Sequence, residues 1–359
     1  MPAPPQWAQG ERRALSYVAL LQGPVVRFKL FLYGLIYFVI RVFVCLVQAM
    51  RIETCHGLAR QLAILSYDIL RIRREVVDDN LGWAFPELAE AERQRLARSM
   101  WEHIFLLVCE IVHVPRKIHE TNWRDYIRIP QQRTMVRYLL DPRPLVIVSG
   151  HFGNFEVGGV VAGLLGYPTF TVARPLDNPY LHRFINRFRG ARGQFILPKI
   201  GSAPQVDAIL RTGGTLAFLG DQHAGRNGCW VNFFGRPASC HKAVALFSLT
   251  QNAPLLLSYA VRRGGPLQFE VGQAGIFDPS VDKAEDVRSL TQWYNQRLEA
   301  AIRTAPEQYW WLHRRWKDTR PERRLAAAAR RRDPPDATAP APHRPAAHRT
   351  PQPAPARES

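Results

Sequence analysis

Hydrophobic and polar positions fall into three regimes along the chain. Between Val25 and Met50 the apolar character is almost continuous, with an eleven-residue apolar run from Leu30 to Ile40 and six more residues from Val42 to Val47. Arg27, Lys29, Arg41 and Gln48 are its interruptions. The run is close to the ~20 residues that cross a bilayer, so the pattern predicts a membrane-attached helix over about 25–50. It either spans at a tilt or lies in the interface with its cationic side chains reaching lipid phosphates. Residues 54–120 show apolar positions at helical spacing, with Pro86-Glu87-Leu88 preceding a charged run. From residue 144 the period changes. Leu145-Val146-Ile147-Val148-Ser149 reads as a buried strand that ends at Gly150. Further strands are predicted over 167–172, 194–197, 215–219, 255–261 and 267–271, with helices over 179–189, 202–211 and 281–304.

Strands alternating with helices predict an α/β fold: a central mixed or mostly parallel sheet flanked by helices. Residues 1–53 form an N-terminal segment that carries the anchoring helix. Residues 54–320 form the main domain, with a helical lead-in over 54–120 and an α/β core over 121–320. The last 39 residues hold nine of the 28 prolines and no aromatic residue, which predicts a disordered tail over 321–359.

Charge narrows the partners. The formal net charge is +18, of which eight arginines and four acids in the tail account for +4. An excess of this size implies an anionic partner: nucleic acid, a lipid surface, a phosphorylated substrate or an acidic carrier protein. No helix-turn-helix, RNA-recognition or zinc-finger pattern supports nucleic acid. Five cysteines without a CxxC exclude a disulfide scaffold and a zinc ribbon. His223, Cys229, Cys240 and His241 have metal-ligand side chains but no tetrahedral spacing, and no metal or organic cofactor is expected.

In α/β sheets the chemistry sits in loops at the carboxyl ends of strands. The loop after the first strand reads Ser149-Gly150-His151-Phe152-Gly153-Asn154-Phe155-Glu156. A turn at Gly153 lets His151 in the loop meet Glu156 in the first turn of the next helix, with Asn154 as its N-cap. Glu156 would accept the proton of one imidazole nitrogen while the other takes a proton from a hydroxyl. No serine or cysteine occupies a nucleophile-elbow pattern, which points to direct transfer.

Four blocks carry a resemblance: SGHFGNFE at 149–156, ARPLDNPYLHRFINRFRGARG at 173–193, LGDQHAGRNGCWVNFFGRPAS at 219–239 and APEQYWWLHRRWK at 305–317. In this order and spacing they resemble the late acyltransferases of lipid A biosynthesis, the lauroyl and myristoyl transferases. Those belong to a wider lysophospholipid-acyltransferase-like superfamily with an H-x4-D/E signature.

The resemblance implies transfer of a fatty acyl chain from an acyl carrier protein thioester, or another acyl-thioester donor, to a hydroxyl of a lipid A precursor or related glycolipid. It implies His151 as base, Glu156 as its partner, and Arg189, with Arg187 as alternate, stabilising the thioester oxyanion. Arg174, Asp221 and Gln222 would position substrate, although Asp221 can equally order its loop. Phe233, Phe234 and Gly235 would line the acyl groove unless they are core. His313, Arg314 and Arg315 would form part of a phosphate-binding rim. Cys240, followed by His241-Lys242, departs from the family, where a small hydroxylated residue is common at the cysteine's place. The expected location is the inner membrane, with the catalytic domain facing the cytoplasm. Two alternatives stay open: a lysophospholipid or other glycolipid O-acyltransferase with the same chemistry, and a non-catalytic basic membrane-associated protein.

Overall fold

The computed structural model describes residues 24–317. The expected tail over 321–359 lies outside them. Seven helices and nine strands are enough to place the site. The apolar run forms one helix, α1 (Pro24–Ala49). A two-residue connection leads to α2 (Ile52–Ile64), which continues as a π-helical turn over Leu65–Ile69. The lead-in continues with α3 (Arg74–Ala84) and the long α4 (Glu90–Lys117), which α2 packs along, and a short α5 (Gln132–Leu139) precedes the central strands.

The main sheet has seven strands in the order β1-β9-β8-β2-β5-β3-β4. Their ranges are β1 (Ile127–Arg128), β2 (Leu145–Ser149), β3 (Thr169–Ala173), β4 (Gln194–Pro198), β5 (Thr215–Leu219), β8 (Leu255–Arg262) and β9 (Phe269–Phe277). All neighbours are parallel except β8 and β9. The mixed, mostly parallel sheet therefore matches the expected fold. Its central strands explain the uniform Leu/Val/Ile composition: Leu145, Val146, Val148, Leu216, Leu255, Leu256 and Leu257 are all buried, as strands covered on both faces require.

A second element escaped the sequence pattern. Strands β6 (Cys229–Phe233) and β7 (Arg236–Cys240) pair as an antiparallel hairpin. Its two-residue turn, Phe234-Gly235, has positive φ at both positions, 50° and 69°, the twist that closes a tight hairpin. Phenylalanine is a rare occupant of that conformation, so the turn lacks the Asn-Gly signature that marks such loops. Pro237 further disguises β7 as a loop.

The core explains the turn's odd residue. Phe233 and Phe234 are buried and pack edge-on against Tyr309, Trp311 and Phe85, with centroids 5.6–6.4 Å apart. The Phe234 amide donates to a Glu299 carboxylate oxygen at 2.6 Å. Phe233 and Phe234 thus belong to a packed corner of the hydrophobic core rather than to an open groove, and Gly235 is exposed at the tip of the turn. Arg315 is internal too. Only 2% exposed, it donates to the Ser239 carbonyl at 2.8 Å and to the Cys240 sulfur at 2.7 Å. It ties the C-terminal segment to β7, and cannot belong to an exposed phosphate rim.

Candidate active site

Strands β2 and β5 are parallel neighbours with Ser149 paired to Leu219. Each is followed by a glycine, Gly150 and Gly220, and then by a polar residue. Continuing the register by two residues brings His151 level with Asp221. The contact is two-pronged. The His151 backbone N–H donates to Asp221 Oδ2 at 2.8 Å, and imidazole Nδ1 lies 2.8 Å from Asp221 Oδ1. A carboxylate only accepts, so Nδ1 carries the proton and Nε2 presents its lone pair. Gln222 Nε2 lies 3.4 Å from His151 Nε2. The rings of Phe155 and Trp310 stand edge-on to the imidazole at 5.1 and 6.2 Å.

The two groups shift each other's titration. Burial opposes a charged imidazole, but the Asp221 charge and hydrogen bond, helped by the Glu156 charge, outweigh it and raise the His151 pKa. Burial would likewise raise the Asp221 carboxyl. His151's charge and hydrogen bonds, with Arg315's charge behind them, overcome that and bring it down to about 2. The result is a basic imidazole beside a carboxylate that stays ionised.

Glu156 takes a different partner from the one its spacing suggested. It sits in the first turn of α6 (Phe155–Leu164), where its carboxylate receives Arg189 Nε at 3.0 Å on Oε2 and Arg189 Nη2 on Oε1. Arg189 comes from the last turn of α7 (Pro179–Gly190). The expected His151–Glu156 hydrogen bond is therefore replaced by two pairs, His151 with Asp221 and Glu156 with Arg189. The reason is sheet order: β5 lies against β2 and delivers its own acid to the imidazole. Arg187, the alternate to Arg189, is exposed.

The remaining candidates separate by burial. Asn154 caps α6 through Val157 N–H, as expected, but it is fully buried. Arg174 is exposed beyond β3 and pairs with Asp177 at 3.2 Å. Gln222 is exposed beside the imidazole. His313 accepts from the His223 backbone N–H at 3.0 Å, and burial, with nearby arginine and histidine charge, lowers its pKa to about 4 despite Asp221. Arg314 is exposed.

Sequence reading missed the support behind the loop. Gly153 has φ 62°, and a Cβ there would come within 2.1 Å of the Ala260 carbonyl oxygen, so β8 touches the loop's bare backbone. The Gly153 N–H donates to the Gln308 carbonyl at 2.8 Å, and the Asn154 N–H to the Ala260 carbonyl at 2.6 Å. Behind Asn154 lies a buried ion pair. Glu110 of α4 receives Arg262 Nε and Nη2, both at 2.6 Å, the Leu267 N–H at 3.0 Å and Asn154 Nδ2 at 3.1 Å. His103 Nδ1 accepts from Arg262 Nη1 at 3.1 Å. Burial and the Arg262 charge keep that imidazole neutral, well below its ordinary pKa.

Glu110→Ala leaves the Arg262 guanidinium buried without its counter-charge. The expected cost is about 3–5 kcal/mol of stability, readable by chemical denaturation. A loss below about 1 kcal/mol would mean that water reaches Arg262 and the clamp is weak.

Comparison with known proteins follows the same lines. Residues 26–318 match the sequence profile described as bacterial lipid A biosynthesis acyltransferase. A lipid A biosynthesis lauroyltransferase of Escherichia coli (strain K12) is 26% identical over 269 residues, covering 73% of this chain and 84% of that protein. A palmitoleoyltransferase of the same pathway and strain is 24% identical, covering 74% and 85%. A lipid A biosynthesis acyltransferase of Haemophilus influenzae is 28% identical over 285 residues, covering 73% and 88%. Among solved structures, a 1-acyl-sn-glycerophosphate acyltransferase from Thermotoga maritima aligns over 71% of this chain and 99% of its own, with 12% identity and a TM-score of 0.36.

Proposed function

We infer the reaction from the premise that this chain belongs to the bacterial lipid A biosynthesis acyltransferase family, which the match over residues 26–318 establishes. As an acyltransferase it needs a base, an oxyanion partner and an activated acyl group. The reading is transfer of a fatty acyl chain from an acyl carrier protein thioester to a hydroxyl of a phosphorylated lipid A precursor, at the cytoplasmic face of the inner membrane. The observation that carries it is the His151–Asp221 pair at the ends of β2 and β5, with the imidazole Nε2 turned from its carboxylate.

The arrangement of these side chains supports the following steps. His151 Nε2 takes the proton of the acceptor hydroxyl as its oxygen attacks the thioester carbonyl carbon. Asp221 stabilises the imidazolium that forms. The tetrahedral intermediate collapses with cleavage of the C–S bond, and Nε2–H returns its proton to the departing thiolate, giving an ester and a thiol. Arg189, aimed by Glu156, supplies positive charge for the oxyanion. Relatives named for lauroyl and palmitoleoyl transfer are similar to this chain to nearly the same extent, 26% and 24%. Their names therefore select no acyl length.

The test is a transfer assay with purified chain, acyl carrier protein thioesters of several lengths and a lipid A precursor in mixed micelles, read by mass spectrometry of the lipid. Acyl ester on the precursor is the expected product. Transfer only to lysophospholipid would overturn the acceptor, and equal rates from acyl-coenzyme A would overturn the donor. Within that assay Arg189→Met is expected to lower kcat by about 10²–10³-fold, the scale of one lost oxyanion donor. An unchanged kcat with raised KM would make Arg189 a binding residue instead.

A further inference from the structure

Helix α1 is long and apolar enough to cross a membrane by length and composition, at 25 residues over Val25–Ala49. Its packing argues for another seat. Leu30, Tyr33, Tyr37, Ile40, Val44 and Val47 recur at alternating three- and four-residue spacing, half-buried along the helix and fully buried at Val47. This stripe meets the domain. Asn178 Nδ2 donates to the Tyr33 carbonyl at 3.0 Å, and Tyr37 meets Tyr180 and Phe184 of α7 at 6.1 Å each. Arg41 lies over the Phe184 ring at 4.9 Å, and Gln48 Nε2 donates to the Val112 carbonyl of α4 at 3.0 Å.

A spanning helix has lipid around about 20 central residues, about 30 Å of its length. Here that length is flanked by α7 and α4, so a perpendicular α1 would pull Asn178 and the start of α7 into hydrocarbon. The outer face behaves differently. Phe28, Phe31, Phe38 and Leu46 are all more than 60% exposed. Between this face and Tyr180 runs an open groove of about 790 Å³, lined by Leu30, Gly34, Leu35 and Phe38, with Arg27 beside them.

Helix α2 repeats the theme. Small residues, Cys55, Ala59 and Ala63, are buried, while Leu58, Leu62, Leu65 and Ile69 recur at i, i+4, i+7 and i+11 and are exposed by 38–68%. Leu70 and Ile72 extend the apolar tip at 59% and 41% exposure. Residues 51–74 hold five arginines against Glu53 and Asp68, and Arg98 binds Asp68 at 2.8 Å. Arg51, Arg60, Arg71 and Arg73 are exposed around the leucines. An apolar stripe edged by arginine fits the headgroup and upper acyl layer of an anionic leaflet.

We propose that α1 and the Leu58–Ile69 stripe of α2 enter one and the same leaflet of an anionic bilayer, α1 lying along it and not crossing it. This rests on the reading that the chain works at a membrane. The two-residue link between the helices holds their ends together, and the cationic side chains reach phosphates from both. The domain then sits with α1, α2 and the start of α7 at lipid level.

The experiment uses the full-length chain with the exposed Cys45 changed to serine. Single NBD labels are placed at Phe38→Cys, Ile69→Cys and, as control, Ile200→Cys; Ile200 is 90% exposed beyond β4. The protein is bound to phosphatidylethanolamine/phosphatidylglycerol vesicles carrying doxyl quenchers at shallow or central depth. Shallow quenching is expected to exceed central quenching at least about twofold at both Phe38 and Ile69, with none at Ile200. Leaving out phosphatidylglycerol should weaken binding about tenfold or more. Strongest quenching of Phe38 from the bilayer centre would show a span and overturn the proposal. An aqueous spectrum at Ile69 on bound vesicles would overturn the second contact. Shielding of Ile69 without vesicles, rising with protein concentration, would assign the stripe to a second copy of the chain. Failure of the full chain to float with vesicles would instead refute the membrane reading beneath it.

Discussion

His151→Ala is expected to lower transfer by about 10²–10⁴-fold, the contribution of a positioned general base, with little change in stability. His151 is one-fifth exposed, so truncation opens no sealed cavity. The neighbouring rings, Phe155 and Trp310, are held by their own backbones, and the Trp310 N–H bonds the residue-151 carbonyl whatever the side chain. Initial rates with a saturating thioester donor, beside a thermal melt, check both halves. Near-normal transfer by a folded variant would remove His151 from the chemistry. It would leave Asp221 as an acid with only a structural role.

Asp221→Asn carries a comparable expected loss, about 10²–10⁴-fold, for a different reason. Asp221 accepts two N–H groups, from the His151 backbone and from Nδ1. A carboxamide has one accepting oxygen, so it can satisfy one of these and must oppose the other with its own donor. Either the loop loses a buried hydrogen bond or the imidazole turns to the wrong tautomer.

The pH profile separates this from simple loosening. The base must be neutral to act, so kcat/KM falls as pH drops through the pKa of His151. Asp221 raises that pKa, with Glu156 contributing at longer range. Removing the carboxylate charge therefore moves the acid limb to lower pH while the plateau drops. A lower plateau with an unmoved limb would show that Asp221 orders the loop without tuning the base.

What could be read along the chain was whatever is local. Leu145–Ser149 announced a buried strand through its composition, Gly150 ended it, and His151 followed in the loop. The Asn154 cap and the start of α6 were legible for the same reason, since capping couples residues three apart. The partner of His151 was not legible, because it depends on which strand lies beside β2. Spacing favoured Glu156, five residues away. The sheet instead brings Asp221, seventy residues on.

A signal for Asp221 did exist. Ser149-Gly150-His151 and Leu219-Gly220-Asp221 are parallel phrases, each a strand end, a glycine and a titratable side chain. Two such phrases in one α/β sheet mark adjacent strands opening on a shared site. For Phe233-Phe234-Gly235 the resemblance leaves groove and core both open. Positive φ at Phe234 and Gly235 and burial of the two rings make it a hairpin turn anchored in the core. Arg315 misled: nothing local separates it from exposed Arg314, and only β7 sets it inside.

The pairing of β2 with β5 has a consequence for how the protein tolerates change. His151 and Asp221 are joined by register and by no short stretch of chain. The segment between them crosses the sheet edge, through β3, α7 and β4, and returns. Its length is thus immaterial to their distance, provided both strands dock in phase. Insertions in the exposed loop that holds Ile200 should leave the pair untouched. A one-residue slip of β5 would part it while leaving every residue in place along the chain. Catalytic competence is in this sense a property of alignment, present only when β2 and β5 are paired in register.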